Sequence, residues 1–340
     1  MKKELYSRRS FLQKSALSSG MVAFGSTGIL NHADAPPKLP REVWIAALSQ
    51  MDLRTDSPEA MLDEMLNITL LSLAFQPDII CLPETFAFVN TSAILNMKQK
   101  LEYSDKALAA FSSVAAKNEC YVICPVFTSD ANKVFNAAVV FDRKGNKTGE
   151  YRKMHLTVDE IESGLTPGPL DAPVFEADFG KFGIQICYDI YYNDGWQKLA
   201  DKGAEIVFWP SAFAAGSRVK MKALENQYAV VSSTRKNTSM ICDIRGEVIE
   251  TTGLWEKNLC CAALNLEKVL IDSWPHVEHF HEIMEKYGRK IRISTLHEEQ
   301  FTVIESLDPD IRVKDILKEF GIRSYREQVK EAEIAQIKAR

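Results

Sequence analysis

From Val43 onward, short apolar runs alternate with longer amphipathic stretches, and this alternation constrains the fold more than any other feature of the chain. A run that is apolar on both sides must be covered on both faces, and amphipathic helices do this when they cross over a sheet. The runs at 43–48, 78–82, 121–127, 134–141, 182–186 and 205–209 predict strands. Helices are predicted over 58–75, where Ser57 offers an N-cap and Pro58 suits the first turn, and over 104–118, 194–202 and 217–231. Residues 141–151, with Asp142, Gly145, Asn146 and Gly149, carry the turn chemistry of a hairpin, and later strands are predicted over 240–243, 247–251 and 260–266. Crossovers mixed with hairpins argue against an all-parallel barrel. They predict an α/β fold, a four-layer α-β-β-α sandwich. After Leu266 the composition turns to mixed charge, notably at 277–287 and 313–320, which predicts a mostly helical C-terminal extension over 271–340 beside a main domain over 36–270.

The first thirty-five residues read differently. Lys2 and Lys3 lead into Ser7-Arg8-Arg9-Ser10-Phe11-Leu12-Gln13-Lys14, followed by a weakly apolar Ala, Ser and Gly stretch and by Ala33-Asp34-Ala35 before Pro36. Adjacent arginines, a modest apolar region and a small-residue cleavage site resemble a twin-arginine export signal over residues 1–35, an address read by the export machinery and not a membrane anchor. The expected destination is the periplasm or the medium, after removal of the signal near Ala35. That segment holds five basic and two acidic residues, so removing it takes the formal charge from −5 to −8.

An acidic chain with no basic face has nothing with which to neutralise phosphates, so nucleic acid is excluded as a partner class. No stretch after the signal approaches the roughly 18 consecutive apolar residues that a membrane span needs. A small molecule is the expected partner, with self-association as a homodimer or higher homo-oligomer, and no cofactor is expected. The seven cysteines are an odd number, so at least one is free or pairs between chains. Export after folding keeps thiols reduced while the fold forms, so a working thiol is compatible with an oxidising destination.

Three reactive residues sit at or just beyond predicted strand ends. They are Glu84 in Leu82-Pro83-Glu84, Lys153 in Tyr151-Arg152-Lys153-Met154-His155-Leu156, and Cys187 in Cys187-Tyr188-Asp189. Strand ends are where an α/β sheet brings side chains from distant segments to one cleft. A thiol of pKa about 8.5 is mostly protonated at neutral pH; a neighbouring ammonium lowers that value and a carboxylate can accept the proton.

These three motifs, in this order and at these separations, resemble the signatures of the nitrilase superfamily of carbon-nitrogen hydrolases. Glu162-Ser163-Gly164-Leu165-Thr166-Pro167-Gly168, Trp209-Pro210-Ser211-Ala212-Phe213 and Ala223-Leu224-Glu225-Asn226-Gln227 resemble further segments of that family, so the similarity runs over about residues 41–267. The resemblance implies a nitrilase-type sandwich and a Glu84, Lys153, Cys187 triad. Cys187 attacks the substrate carbon, Glu84 is the general base and later serves the leaving amine, and Lys153 stabilises the tetrahedral intermediate together with the backbone N–H of Tyr188. It implies Glu162 as a second glutamate orienting Lys153, and a substrate pocket shaped by Tyr192, Trp209 and Phe213. Tyr188 follows the nucleophile where nitrile-hydrolysing relatives carry Trp, which favours amide or carbamoyl substrates over nitriles.

Acyl transfer to an acceptor other than water uses the same three residues, and a nitrile substrate is a further alternative. Ser217-Arg218-Val219-Lys220 and Lys147-Thr148-Gly149 match elements of serine acyl-enzymes, but in reversed order and without the intervening Ser-Asp-Asn. A metal-binding protein would rest on His276, His279 and His281, yet on a helix only the first two share a face. No metal site is expected.

Replacing Arg8 and Arg9 with Lys is expected to block export while leaving the specific activity of the purified mature domain unchanged. Cell fractionation checks this, and unaltered delivery of the variant across the inner membrane would show that residues 1–35 are not a twin-arginine signal.

Overall fold

The computed structural model describes residues 39–253 and 255–340, and the export segment expected over residues 1–35 lies outside them. In chain order the main body comprises β1 (Glu42–Leu48), α1 (Pro58–Ser72), β2 (Ile79–Cys81), α2 (Met97–Asn118), β3 (Tyr121–Asp130), β4 (Lys133–Phe141), β5 (Lys147–Arg152), α3 (Val158–Glu162), β6 (Val174–Ala177), β7 (Gly180–Ile184), α4 (Asp194–Asp201), β8 (Ile206–Ser211), α5 (Ser217–Asn226), β9 (Ala229–Thr234), β10 (Met240–Cys242), β11 (Val248–Thr251) and β12 (Leu259–Asn265). These strands form two six-stranded sheets, ordered β12-β1-β2-β3-β4-β5 and β11-β10-β9-β8-β7-β6. Both are mixed. In the first, β1, β2 and β3 run parallel and the outer pairs antiparallel; in the second, β7, β8 and β9 are the parallel centre.

Alternation along β1 shows how the layers are held. Val43, Ile45 and Ala47 join a core with Ile184, Phe208 and Val231 of the second sheet, whereas Ala46 and Leu48 join another with Met61 and Met65 of α1 and Phe111 of α2. Each sheet thus has one face toward its partner sheet or toward helices, as the period-2 geometry of a strand requires. The result is two mixed sheets flanked by helices.

Local chemistry explains the boundaries. Ser57 Oγ accepts from Ala60 N at 3.2 Å and caps α1, as its position predicted. Helix α2 begins earlier than predicted because Asn96 and Gln99 form a reciprocal capping box, each bond 3.0 Å, ahead of a polar first turn. The helix predicted over 217–231 ends at Asn226, where Gln227 takes a left-handed conformation, and the apolar residues that follow are the fully buried strand β9.

The extension holds strands as well as helices. It consists of β13 (Lys268–Asp272), α6 (Phe280–Tyr287), β14 (Ile291–Leu296), β15 (Phe301–Ser306), α7 (Val313–Glu319) and α8 (Tyr325–Ala339). The three strands make an antiparallel sheet, β13-β15-β14, which shares a small core with the helices through Ile271, Ile283, Ile304, Val313 and Ile316. In β14 the polar Arg292 and Ser294 alternate with Ile291 and Ile293. Such alternation reads as mixed charge unless the period is counted. Among the described residues no helix is long and apolar enough to cross a membrane.

Candidate active site

The ends of β2, β5 and β7 bring Glu84, Lys153 and Cys187 to one cavity of about 370 Å³, which Asn136, Glu160 and Arg235 also line. All three side chains of the predicted triad are nearly buried, Lys153 and Glu84 at 1% and 3% side-chain exposure and Cys187 at 8%.

Lys153 follows the last residue of β5, and its backbone is pinned on both sides. Its N–H donates to Asn136 O on β4 at 2.8 Å, and its carbonyl accepts from Gly168 N at 2.8 Å. A side chain at Gly168 would put Cβ 2.2 Å from Arg152 O, so only glycine lets this segment close over the lysine. The Lys153 ammonium donates to Glu84 Oε1 at 3.0 Å and to Glu160 Oε1 and Oε2 at 2.9 and 2.8 Å. Asn136 Nδ2 bridges the same two carboxylates, at 2.9 Å to Glu84 Oε1 and 2.8 Å to Glu160 Oε1.

The second glutamate is therefore Glu160 and not Glu162. Glu162 is exposed at the end of α3. Glu160 is the N3 residue of a capping box in which its Oε2 accepts from Thr157 N at 2.9 Å, and this bond turns its carboxylate back toward Lys153. The Thr157-x-x-Glu160 spacing is the signal by which the sequence could have selected it.

Cys187 sits in a left-handed conformation, φ +45°, where β7 turns into a short 3-10 helix spanning Cys187–Tyr191. Such a φ is costly for a side chain bearing Cβ and persists only where the surroundings hold it. Asp189, fully buried, supplies the hold. Its Oδ2 accepts from Ile186 N at 2.8 Å and from Tyr151 Oη at 2.7 Å, and its Oδ1 accepts from His155 N at 2.8 Å and contacts His155 Nδ1 at 3.0 Å. One carboxylate thus ties the turn carrying Cys187 to the segment carrying Lys153. The N–H of Tyr188 belongs to the first turn of that short helix, where backbone donors have no partner within the helix.

The predicted pocket aromatics lie elsewhere. Trp209 is fully buried and donates through Nε1 to Cys187 O at 3.0 Å, so it supports the turn from behind. Phe213 packs edge-on against Trp209 at 5.5 Å, and the Tyr192 ring stacks on His155 at 3.8 Å. None of the three lines the cavity at Cys187, whose apolar wall is Phe88, Val89, Phe127 and Leu165. Proximity in sequence placed these aromatics near the nucleophile, but packing turned them into its support.

Electrostatics separates the roles. Burial pushes Glu84 up, but Lys153 and Arg235, with hydrogen bonds from Lys153 and Asn136, outweigh it and hold the carboxyl below its ordinary range. Burial pushes Lys153 down, but Glu84, Cys187 and Glu160 outweigh that and keep it protonated. The Cys187 thiol is pushed up to about 12, first by burial and then by Glu84, against the opposing pull of Lys153, the Ala212 backbone and the Ser211 hydroxyl. The resting cluster is a carboxylate, an ammonium and a neutral thiol, so the thiol value lowered by Lys153 that was expected from sequence does not arise. The Lys153 contribution has the expected sign and is smaller than burial. Glu84 Oε2 is buried and has no hydrogen-bond partner.

The histidines of the alternative reading hold no metal cluster: His276 is buried in the extension, and no group of three or more metal-binding side chains occurs among the described residues. All seven cysteines are free.

Comparison with known proteins then gives the class. The chain belongs to the carbon-nitrogen hydrolase family, whose model matches residues 45–270, and it is an enzyme of that family with amidase-like relatives. It is 26% identical over 273 residues to a deaminated glutathione amidase of Synechocystis sp., which covers 69% of this chain and 97% of that protein. It is 34% identical over 158 residues to a probable hydrolase of Bacillus subtilis, across 43% of this chain and only 30% of that protein's length. Among solved structures, a mutant of the amidase from Nesterenkonia sp. AN1, with the acetamide moiety of fluoroacetamide added covalently at its active-site cysteine, matches with a TM-score of 0.59 and 18% identity over 67% of this chain and 92% of that one. At that identity the likeness is one of fold.

The direction of the thiol shift can be tested. Removing the carboxylate in Glu84→Gln takes away a charge that raises the Cys187 pKa and leaves Lys153 in place, so the thiolate fraction at pH 8 rises. Each unit of lowering speeds thiolate-dependent alkylation about tenfold in this range. Lys153→Met changes the charge in the opposite sense and is expected to slow alkylation. Rates at Cys187, followed by peptide mass mapping from pH 7 to 10, check both, and a slower Glu84→Gln would contradict the electrostatic account.

Proposed function

We propose that this chain hydrolyses a non-peptide carbon-nitrogen bond of a small amide or carbamoyl compound through an acyl-thioester on Cys187, releasing ammonia or an amine. The observation that carries the reading is Glu84 Oε2, a buried acceptor with no hydrogen-bond partner, in the cavity that also contains the neutral Cys187 thiol. Its carboxylate is anchored by Oε1, which leaves Oε2 to receive a proton.

In the first half-reaction the sulfur forms a bond to the substrate carbonyl carbon, the S–H proton passes to Glu84 Oε2, and the carbonyl electron pair moves onto oxygen. With the thiol pushed up and the carboxyl held down, proton transfer ahead of attack is unfavourable. The proton therefore leaves as the S–C bond forms. The oxyanion takes hydrogen bonds from the Lys153 ammonium and the Tyr188 N–H; removal of one such donor commonly costs on the order of a hundredfold or more in rate. Glu84 then returns the proton to nitrogen as the C–N bond breaks. In the second half-reaction water gives a proton to Glu84 while its oxygen attacks the thioester carbon, the C–S bond breaks, and the thiol is reprotonated. Glu160 and Asn136 position Lys153 and Glu84 throughout.

The amidase name of the Synechocystis relative, which this chain spans almost completely, supports an amide over a nitrile, as does Tyr188 beside the nucleophile. We further propose that the enzyme works beyond the inner membrane after export through residues 1–35, a reading that rests on the Arg8-Arg9 pair, the weakly apolar stretch after it and Ala33-Asp34-Ala35.

Cys187→Ala is expected to abolish ammonia or amine release from a panel of amides, carbamoyl compounds and nitriles, with an unchanged circular dichroism spectrum. Full activity in this variant would end the proposal.

A further inference from the structure

Resting on the hydrolase reading above, the cavity also bears on what the substrate must carry. Two further cations, Arg235 and Lys100, stand on its wall. Arg235 follows the end of β9, and its guanidinium is held loosely: Nη1 donates to Thr85 Oγ1 at 3.3 Å, Nη2 stands 3.5 Å from Glu84 Oε2, and Nε is buried with no partner. A buried N–H without an acceptor is costly, and arginine cannot shed its charge to relieve it. Lys100 reaches the same cavity from α2, its Nζ 5.9 Å from the centre of the Phe127 ring, and among the described residues it forms no ion pair.

The anionic side of the cavity is already committed. Glu84 and Glu160 share the Lys153 ammonium and the Asn136 amide, and the remaining carboxylate, Asp159, is exposed to solvent that screens it. What the protein leaves open is a pair of donors beside an apolar wall of Phe88, Val89 and Phe127. Arg235 is partly exposed and its contacts at 3.3 and 3.5 Å are long, so its guanidinium can exchange them for the oxygens of a carboxylate, whose geometry it matches.

We propose that Arg235 and Lys100 bind a carboxylate of the substrate, so that the preferred substrates are small amides or carbamoyl compounds carrying a carboxylate separate from the scissile bond. Arg235 is the specificity-determining residue, because it lies against the catalytic glutamate, and Lys100 contributes charge from the wall.

The test uses matched pairs, a carboxylate-bearing primary amide against the alkyl amide of equal length, and an N-carbamoyl amino acid against the corresponding neutral alkylurea. Wild-type kcat/KM is expected to favour the carboxylate member of at least one pair tenfold or more, with the preference falling as salt is raised. Arg235→Gln is expected to lower that ratio by about tenfold or more, Arg235→Lys to retain part of it, and Lys100→Gln to lower it less, with melting temperatures verifying that each variant folds. A wild type indifferent to the carboxylate, or preferring the neutral member, would overturn the inference and leave Cys187-dependent hydrolysis standing. So would an Arg235→Gln variant that slows both members equally, because Arg235 would then act only through Glu84. Absence of Cys187-dependent turnover with every pair would overturn this inference together with the hydrolase reading.

Discussion

The buried ammonium of Lys153 is the interaction on which the site depends. Two carboxylates, Glu84 and Glu160, approach it within 3.0 Å in a region from which water is nearly excluded. Withdrawing one partner from a buried pair typically costs about 3–5 kcal/mol, because a charge is left desolvated and uncompensated. Each of the three charges is therefore tolerable only while the others are present. Asn136 adds two hydrogen bonds and fixes both carboxylates by a neutral donor. This network is rigid on the side facing the protein and open at Glu84 Oε2, which separates the part of the site that holds geometry from the part that moves a proton.

The sheets supply that rigidity. Glu84 leaves the parallel centre of the first sheet, Lys153 its edge, and Cys187 the parallel centre of the second, so the three side chains reach one point only if the two sheets keep their register. Asp189 enforces the last of these relations. It accepts from Ile186 N, Tyr151 Oη and His155 N, and so locks the strained turn at Cys187 to the segment that carries Lys153. The Tyr-x-Lys-x-His and Cys-Tyr-Asp segments, far apart in the chain, are thereby two halves of one hydrogen-bonded unit.

How much of this the sequence reveals depends on whether a feature is local. Glu84 and Cys187 are legible because each lies just beyond an apolar run, and Lys153 because it closes a hairpin within a motif whose order and spacing resemble a known family's. Glu160 was displaced to Glu162 because a loop offers three carboxylates within four positions and only the capping box distinguishes them. Asn136 and Arg235 were not legible. One is a polar residue inside β4 and the other follows β9 in a run resembling an ordinary turn, and their partners lie across the fold. Trp209, Tyr192 and Phe213 were misplaced for the opposite reason: closeness to the nucleophile along the chain does not say which face of the turn a ring will cover. The strands of the extension were hidden by the charged and polar residues interspersed among their apolar ones.

The account stands or falls on a covalent bond between Cys187 and the acyl part of a substrate. Rapid chemical quench of the enzyme during turnover, followed by intact mass measurement and peptide mapping, tests it directly. The account predicts a mass increase equal to the acyl group, confined to the peptide containing Cys187, appearing before ammonia or amine release reaches steady state and lost on hydrolysis. Turnover that proceeds with no adduct at any time, or with an adduct on another residue, would contradict it.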